Sequence, residues 1–526
     1  MTFARLCALA LALAMRMSIV LACVSLSMTT VQAAGGDALG YDDARHLLGR
    51  TGFAPAEADV RAYAGLPRAE AVRRLLAGGR AEAITPLPGA IVDAAAQAPR
   101  GPNLTAEERK AFVREQVQEG VALRAWWIQE MLVTPSPLTE RMTLFWHNHF
   151  VSAQPKVRLT RLMARQNATL RANALGNFAT LLHAMARDPA MIVYLDGAQN
   201  RRGAPNENFA REVMELFTLG EGHYTEQDVK EAARAFTGWS VDRETERFIM
   251  RPRLHDTGPK TIFGSTGNFD GDDVLDLLLK RPETAEFVVT KLWREFVGPQ
   301  VDAREISRIA ARFRDSQYDI RTALGEILQA PAFYAAENRG ALIKSPVELV
   351  VGTLRQLDLR PREARPFALA VAGMSQNLFS PPNVKGWPGG EAWINTSTLL
   401  ARKQFIERLT RGDDNTGAMS GPAMSAEAPS NQASLAARQV LSPNGTTTDK
   451  PRAQRIAAEI QRGTGSLQLD SARWMATSFG GDTESSRNAA AARLLLTTSP
   501  QQPLDVHADS LTFLRSVLLD AAYQLK

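Results

Sequence analysis

Two histidines within three residues, His147 and His149 in the stretch WHNHF, and three carboxylates within nine, Glu207, Glu212 and Glu215 in ENFAREVME, are the side chains best suited to chemistry. Imidazole nitrogens and carboxylate oxygens are the usual ligands of a divalent metal where thiolates are absent. His147, His149, Glu207 and Glu212 therefore form a candidate metal set. Glu212 and Glu215 are three apart and neighbours on one helix face, close enough to split their pKa values for acid–base catalysis. His255, followed by Asp256 and by Lys260 in the loop HDTGPK, is a third candidate base. Each group also has a structural reading. Helix residues two apart point about 200° apart, so the two histidines share an ion only where their helix ends. His149 is otherwise expected on a buried face with Met142, Phe145 and Phe150, and the glutamates in a ladder through Arg211. His255, Asp256 and Lys260 also fit a turn built on Asp-Thr-Gly-Pro.

A fourth group lies in NVKGWPGGEAWIN. Asn383, Trp387, Trp393 and Asn395 are spaced as a platform on which indoles stack against sugar rings or peptides while the amides hydrogen-bond. The alternative is that the tryptophans anchor a Pro/Gly-rich loop. Asp270, Asp272 and Asp273 lack the spacing and distal glutamate of a calcium loop and read as helix capping. GxSxG, HExxH, GxxxxGK and a strand-linked GxGxxG are absent, which removes support for the commonest hydrolase, zincin and nucleotide chemistries.

The elements that must position these residues are helices. Asn206 caps the first arm of a helical hairpin over 205–239, Phe209, Val213, Leu216 and Phe217 form its apolar face, and Thr225 with Asp228 caps the second arm. Thr105 with Glu108 starts a long amphipathic helix that stops before Pro135, and Ser345-Pro346 with Glu348 starts another. The one β signal is a ribbon, 247–251 and 261–263, bracketing HDTGPK. The expected fold class is mainly α, a multi-helical globular domain with one short β ribbon. The divisions are a signal peptide at 1–33, a helical domain at 34–411, a low-complexity linker at 412–450 and a C-terminal helical segment at 451–526 that could pack on the main domain.

With 45% hydrophobic and 22% charged residues the composition is that of a globular protein, and a net charge of +5 over 526 residues is too small and scattered for a nucleic-acid partner. Two apolar runs followed by Val31-Gln32-Ala33 read as a secretory signal, with Met15 or Met17 an alternative start. Neither run reaches the ~20 residues of a membrane span. Val20-Leu21-Ala22-Cys23 is a poor lipidation site because Leu21 is unfavourable there. Both cysteines, Cys7 and Cys23, fall in this segment, so the exported chain would carry no disulfide or thiol chemistry.

The blocks LTERMTLFWHNHFVS, ARDPAMIVYLDGAQNRRGAPNENFAREVMELFTLGEGHYTEQDVKEAARAFTGW, HDTGPKTIFG, GNFDGDDVLDLLL, KLWREFV, IKSPVELV and NVKGWPGGEAWINTSTLLAR together resemble, in order, the bacterial family known as domain of unknown function 1800, over about 41–411. The resemblance implies an exported, largely helical protein with no established reaction, often encoded beside a second exported family, domain of unknown function 1501, similar to alkaline-phosphatase-like proteins. It carries over no catalytic residue. The expectation is an envelope protein, in the periplasm, on the cell surface or outside the cell, that works with such a partner on an extracellular polymer. The alternative is a metal- or carboxylate-dependent hydrolase or lyase acting on polysaccharide or peptide, its site between the WHNHF helix and the acidic hairpin.

Overall fold

The computed structural model describes residues 38–93, 105–411, 450–481 and 483–526. The signal segment, both cysteines and nearly all of the 412–450 linker lie outside the described residues. Within them the chain is mainly α, with two small antiparallel sheets of two strands each. Among the described residues no helix is long and apolar enough to cross a membrane.

Two helices are buried on almost every side and act as the axis of the body. The WHNHF helix, Pro137–His149, buries ten residues in a row from Leu138 to His147 and, past Asn148, His149 as well. It starts with proline at its first position, where no amide donor is needed. Glu140 fixes it to its neighbours: its carboxylate accepts from Arg171 Nε at 2.6 Å and Nη2 at 3.0 Å and from Trp127 Nε1 at 2.7 Å. This bidentate pair is buried, so its worth lies more in geometry than in net stability. The second axial helix, Pro346–Gln356, is capped by Ser345 and Glu348 as expected and is buried around its circumference. Gly352 within it allows the Phe53 carbonyl to approach, since a Cβ there would sit 2.1 Å from that oxygen.

The capping signals at Thr105, Asn206, Thr225, Asp270 and Ser345 all start helices as expected. The β segments pair differently from the expected ribbon. β1 (Trp239–Val241) pairs with β2 (Phe248–Met250), and β3 (Lys260–Ile262) with β4 (Ser265–Gly267). Segments 247–251 and 261–263 are thus in separate sheets. The reason is local: Phe263 and Gly264, at φ +50° and +76°, form a tight two-residue turn that folds β3 onto its own successor.

The segment after residue 450 packs on the body. Lys344 N donates to the Gln524 carbonyl and Lys526 N to the Leu342 carbonyl, both at 2.8 Å. Tyr523 Oη lies 2.8 Å from Thr353 Oγ1, Trp474 Nε1 donates to the Gln356 carbonyl, and Arg493 pairs with Asp42. The tail thereby clasps the first helix, Tyr41–Thr51, to the axis.

Candidate functional site

The WHNHF helix is the floor of the site. Its two histidines enter different aromatic pockets. His147, wholly buried, meets Trp127, Phe379 and Trp387 with ring centres 5.2–5.7 Å away. Neither of its ring nitrogens has a partner, and burial pushes its pKa down to about 3. His149 lies among Phe145, Phe150, Phe217 and Phe287 and places Nε2 3.1 Å from the Phe217 carbonyl. Burial, with Lys291 nearby, holds it well below the usual histidine range. Both imidazoles are neutral core groups, turned apart as i, i+2 geometry requires.

The hairpin lies over this floor. Its first arm is α-helical from Glu207 to Glu212 and then widens into a π-turn, Val213–Thr218. The Leu219 amide reaches back five residues to the Met214 carbonyl at 2.8 Å, and Thr218 Oγ1 donates to the Val213 carbonyl at 2.7 Å. Such turns carry one residue too many for an α-helix and concentrate at functional sites. Here the turn spans the segment holding Glu215 and begins directly after Glu212.

The three glutamates take different surroundings. Glu207 is used in the ladder: Arg211 donates to it at 3.1 Å and bridges to Glu226 on the second arm at 2.7 Å. Glu215 accepts from the Tyr224 hydroxyl at 2.7 Å and faces Lys385 Nζ at 3.8 Å. Glu212 is half-buried and, among the described residues, makes no hydrogen bond or ion pair. Burial, then the Glu215 charge, pushes its pKa above the ordinary carboxylate value, against Lys385 and Arg211. Tyr224 is pushed up to about 12 by burial and by its bond to Glu215, so it remains a donor. Tyr194 is also raised, by burial and by Glu212.

Lys385 arrives on the NVKGWPGG loop, which Asn148 holds in place. Asn148 accepts from the Trp387 amide at 2.7 Å and donates to the Trp387 carbonyl at 3.2 Å. Gly386 sits at φ +82°, and a Cβ there would fall 2.3 Å from Asn148 Oδ1. Lys385 then spans to Glu221 at 3.1 Å as well as to Glu215. Three stretches distant in sequence thus meet at one patch.

The remaining candidates are placed elsewhere. Trp387 and Trp393 are 5% and 6% exposed, so their indoles anchor the loop instead of presenting a stacking face. Asn383 Oδ1 accepts from the Lys385 amide and Asn395 caps the helix Thr396–Leu409. His255 is buried and bonds the Thr237 carbonyl through Nδ1 at 2.9 Å. Asp256 pairs with Arg234, and Lys260 donates to the Asp256 and Gly258 carbonyls, so HDTGPK is knitted to itself and to the second arm. The proposed metal set His147, His149, Glu207 and Glu212 is not brought together. Among the described residues no three His, Asp or Glu side chains could jointly hold an ion. Tyr194, Tyr224, Lys385 and Asn148 were not singled out by sequence; the NVKGWPGG motif held Lys385 in plain view, but only the fold shows what it faces.

A cleft of about 820 Å³ lies apart from this patch, between residues 54–61, 354–361 and 468–478, with Trp474 and Arg355 in its wall. Its acids are each engaged, Glu57 by Arg61, Asp59 by the Ala56 amide, Asp358 by Arg360 and Asp470 by the Arg473 amide, so the chemistry is assigned to the hairpin patch.

A family model described as "Protein of unknown function (DUF1800)" matches residues 46–504. No curated protein and no solved structure matches the chain.

Proposed function

The chain belongs to the DUF1800 family, and since membership assigns no chemistry, we propose from the geometry that it is an exported envelope enzyme cleaving a polysaccharide or peptide by carboxylate acid–base catalysis at Glu212 and Glu215. One observation carries the reading: two adjacent carboxyls sit in environments of opposite kind. Glu212 is desolvated, lacks a partner and is raised toward its protonated form. Glu215 receives a phenol hydrogen bond and an ammonium, contacts that suit an anion. A pair so divided supplies a proton to the leaving group from Glu212 and a base or nucleophile from Glu215. Lys385, on a loop anchored by Asn148, adds positive charge where negative charge develops.

The metal version of this chemistry has less support, because the histidines are turned into separate aromatic pockets and Glu207 is engaged by Arg211. Export, and cleavage of the leader before Ala34, rests on the signal-like segment, and N-terminal sequencing of secreted protein tests it. A second reading is favoured by the 820 Å³ cleft: a binding role in which a co-encoded secreted partner of the domain of unknown function 1501 family, or a polymer segment, occupies it.

The test is a screen of the purified chain, in the presence of chelator, for release of reducing ends or new amines from envelope polysaccharides and peptides. Glu212→Gln and Glu215→Gln are each expected to lower the rate by about 10²–10⁴-fold while remaining folded. Activity that persists in both folded variants would falsify the acid–base assignment.

A further inference from the structure

Six basic side chains are buried where the first helix, the Pro346–Gln356 helix and the tail meet: Arg45, Arg50, Arg141, Lys344, Arg402 and Lys526, each under 10% exposed. Only one side-chain carboxylate, Glu348, is buried among them. Arg141 pairs with it at 2.9 Å and Lys526 contacts it too, while Arg141 also reaches the more exposed Glu295. Arg50 and Arg402 are satisfied by neutral acceptors: Arg50 by the Phe296 and Val297 carbonyls, Arg402 by the Lys344 carbonyl and Gln524 Oε1. Arg45 lies 3.8 Å from the half-exposed Asp42 and donates to the Leu496 carbonyl. The Lys344 ammonium lies 3.8 Å above the Tyr523 ring and, among the described residues, has no hydrogen-bond acceptor.

Three of these cations, Arg45, Lys344 and Lys526, line one cavity of about 40 Å³ together with Glu348, Gln356 and Thr497. A single water needs ~10–15 Å³, so there is room for a few heavy atoms. Two donors on the lining, Arg45 Nε and Thr497 Oγ1, are buried without a partner. Buried charge is stable only when paired, and here three cations face one side-chain carboxylate, which Lys526 and, from outside the cavity, Arg141 already engage. We propose that this cavity binds one compact inorganic anion, of halide to phosphate size, held by Arg45, Lys344 and Lys526 with the Thr497 hydroxyl. The anion supplies the charge that the side chains lack and locks the tail to the first helix. Burial holds the Lys344 amine down to about 7, with Arg45, Arg402 and Lys526 adding to the effect and Glu348 opposing it, so an anion beside it favours its charged form. Nothing in this inference depends on the acid–base patch, which uses other elements.

The experiment follows the thermal unfolding midpoint of the whole chain at fixed ionic strength as gluconate, too bulky for the cavity, is replaced by chloride in one series and by phosphate in another. A ligand of the folded state alone stabilises it by RT ln(1 + [L]/Kd), so the midpoint is flat well below Kd and climbs with the logarithm of concentration above it. The expected result is such a logarithmic rise with chloride or phosphate, whose onset moves about tenfold or more to higher concentration in Lys344→Met, the loss expected for one charged contact. Thr497→Val, which cannot unfold the cation cluster, shifts it in the same sense, and crystals soaked in bromide show an anomalous peak between Lys344 and Arg45. No rise above the gluconate baseline, or a rise identical in parent and both variants, overturns the site. So does bromide found in the cavity at crystal concentration with no midpoint shift in solution.

Discussion

Replacing His147 by leucine tests whether the WHNHF histidines are core groups or functional ones. His147 is wholly buried with no partner on either nitrogen, and its pKa is held down to about 3 from the usual 6.5. Below pH 6.5 the unfolded chain takes up a proton at this ring that the folded chain refuses. Stability at this site is therefore full above about pH 6.5 and is lost progressively as pH falls toward the folded value. At pH 5 the two states differ by about 1.5 pH units' worth of protonation, or about 2 kcal/mol, against almost nothing at pH 7. Leucine has a similar volume and buries no unpaired polar atom, so His147→Leu is expected to match or exceed the parent at pH 7. At pH 5 it should exceed the parent by about 2 kcal/mol more than it does at pH 7. Urea unfolding at both pH values, read by the fluorescence of the adjoining Trp127 and Trp387, measures that difference, and it cancels contributions from every other titrating group. Parallel stability–pH curves for parent and variant would refute the reasoning, since they would mean that the ring is solvated or protonated in the folded state.

Lys385→Met removes the cation opposing the upward shift of Glu212. If Glu212 acts as the acid, the alkaline limb of the pH–rate profile should move to higher pH while the maximal rate falls; an unmoved limb would assign that limb to another group. Asn148→Ala removes both hydrogen bonds that seat Trp387, at a cost of about 2 kcal/mol by the usual worth of such bonds, and denaturant midpoints give the value. A loss well under half that size would show that the loop is held by its indoles alone.

Much of the scaffold is written locally. Thr105 with Glu108, Thr225 with Asp228 and Ser345 with Glu348 announce helix starts because a cap is made by residues three apart, and a single chain displays such spacing directly. The separation of His147 from His149 also follows from helix geometry alone. What could not be read is whatever depends on distant approach. Lys385 lies 170 residues from Glu215, and no local pattern says that they meet at 3.8 Å. The direction of Trp387 depends on a pocket built by His147 with Trp127 and Phe379 around it, so exposed and anchoring readings of the same loop are equally consistent with its composition. The β pairing turned on positive φ at Phe263, a conformation that a phenylalanine rarely signals. The resemblance blocks end near residue 411, whereas the family match runs to residue 504, and the tail's bonds to Leu342, Lys344 and Thr353 give that extension a physical sense.

The widened turn at Val213–Thr218 has a consequence for how this patch can change over time. A helix with one surplus residue cannot be made regular by exchanging one side chain for another, because the surplus is in the count of peptide units. Removing a single residue from that turn would rotate all that precedes it by about 100° relative to all that follows. Where the residue lost is Val213 or Met214, Glu212 and Glu215 would then face different ways even if both were kept. Related chains that share this patch should accordingly tolerate many replacements in VMELFT and very few gaps, and a chain shortened by one residue between the two acids would retain the hairpin and lose their meeting.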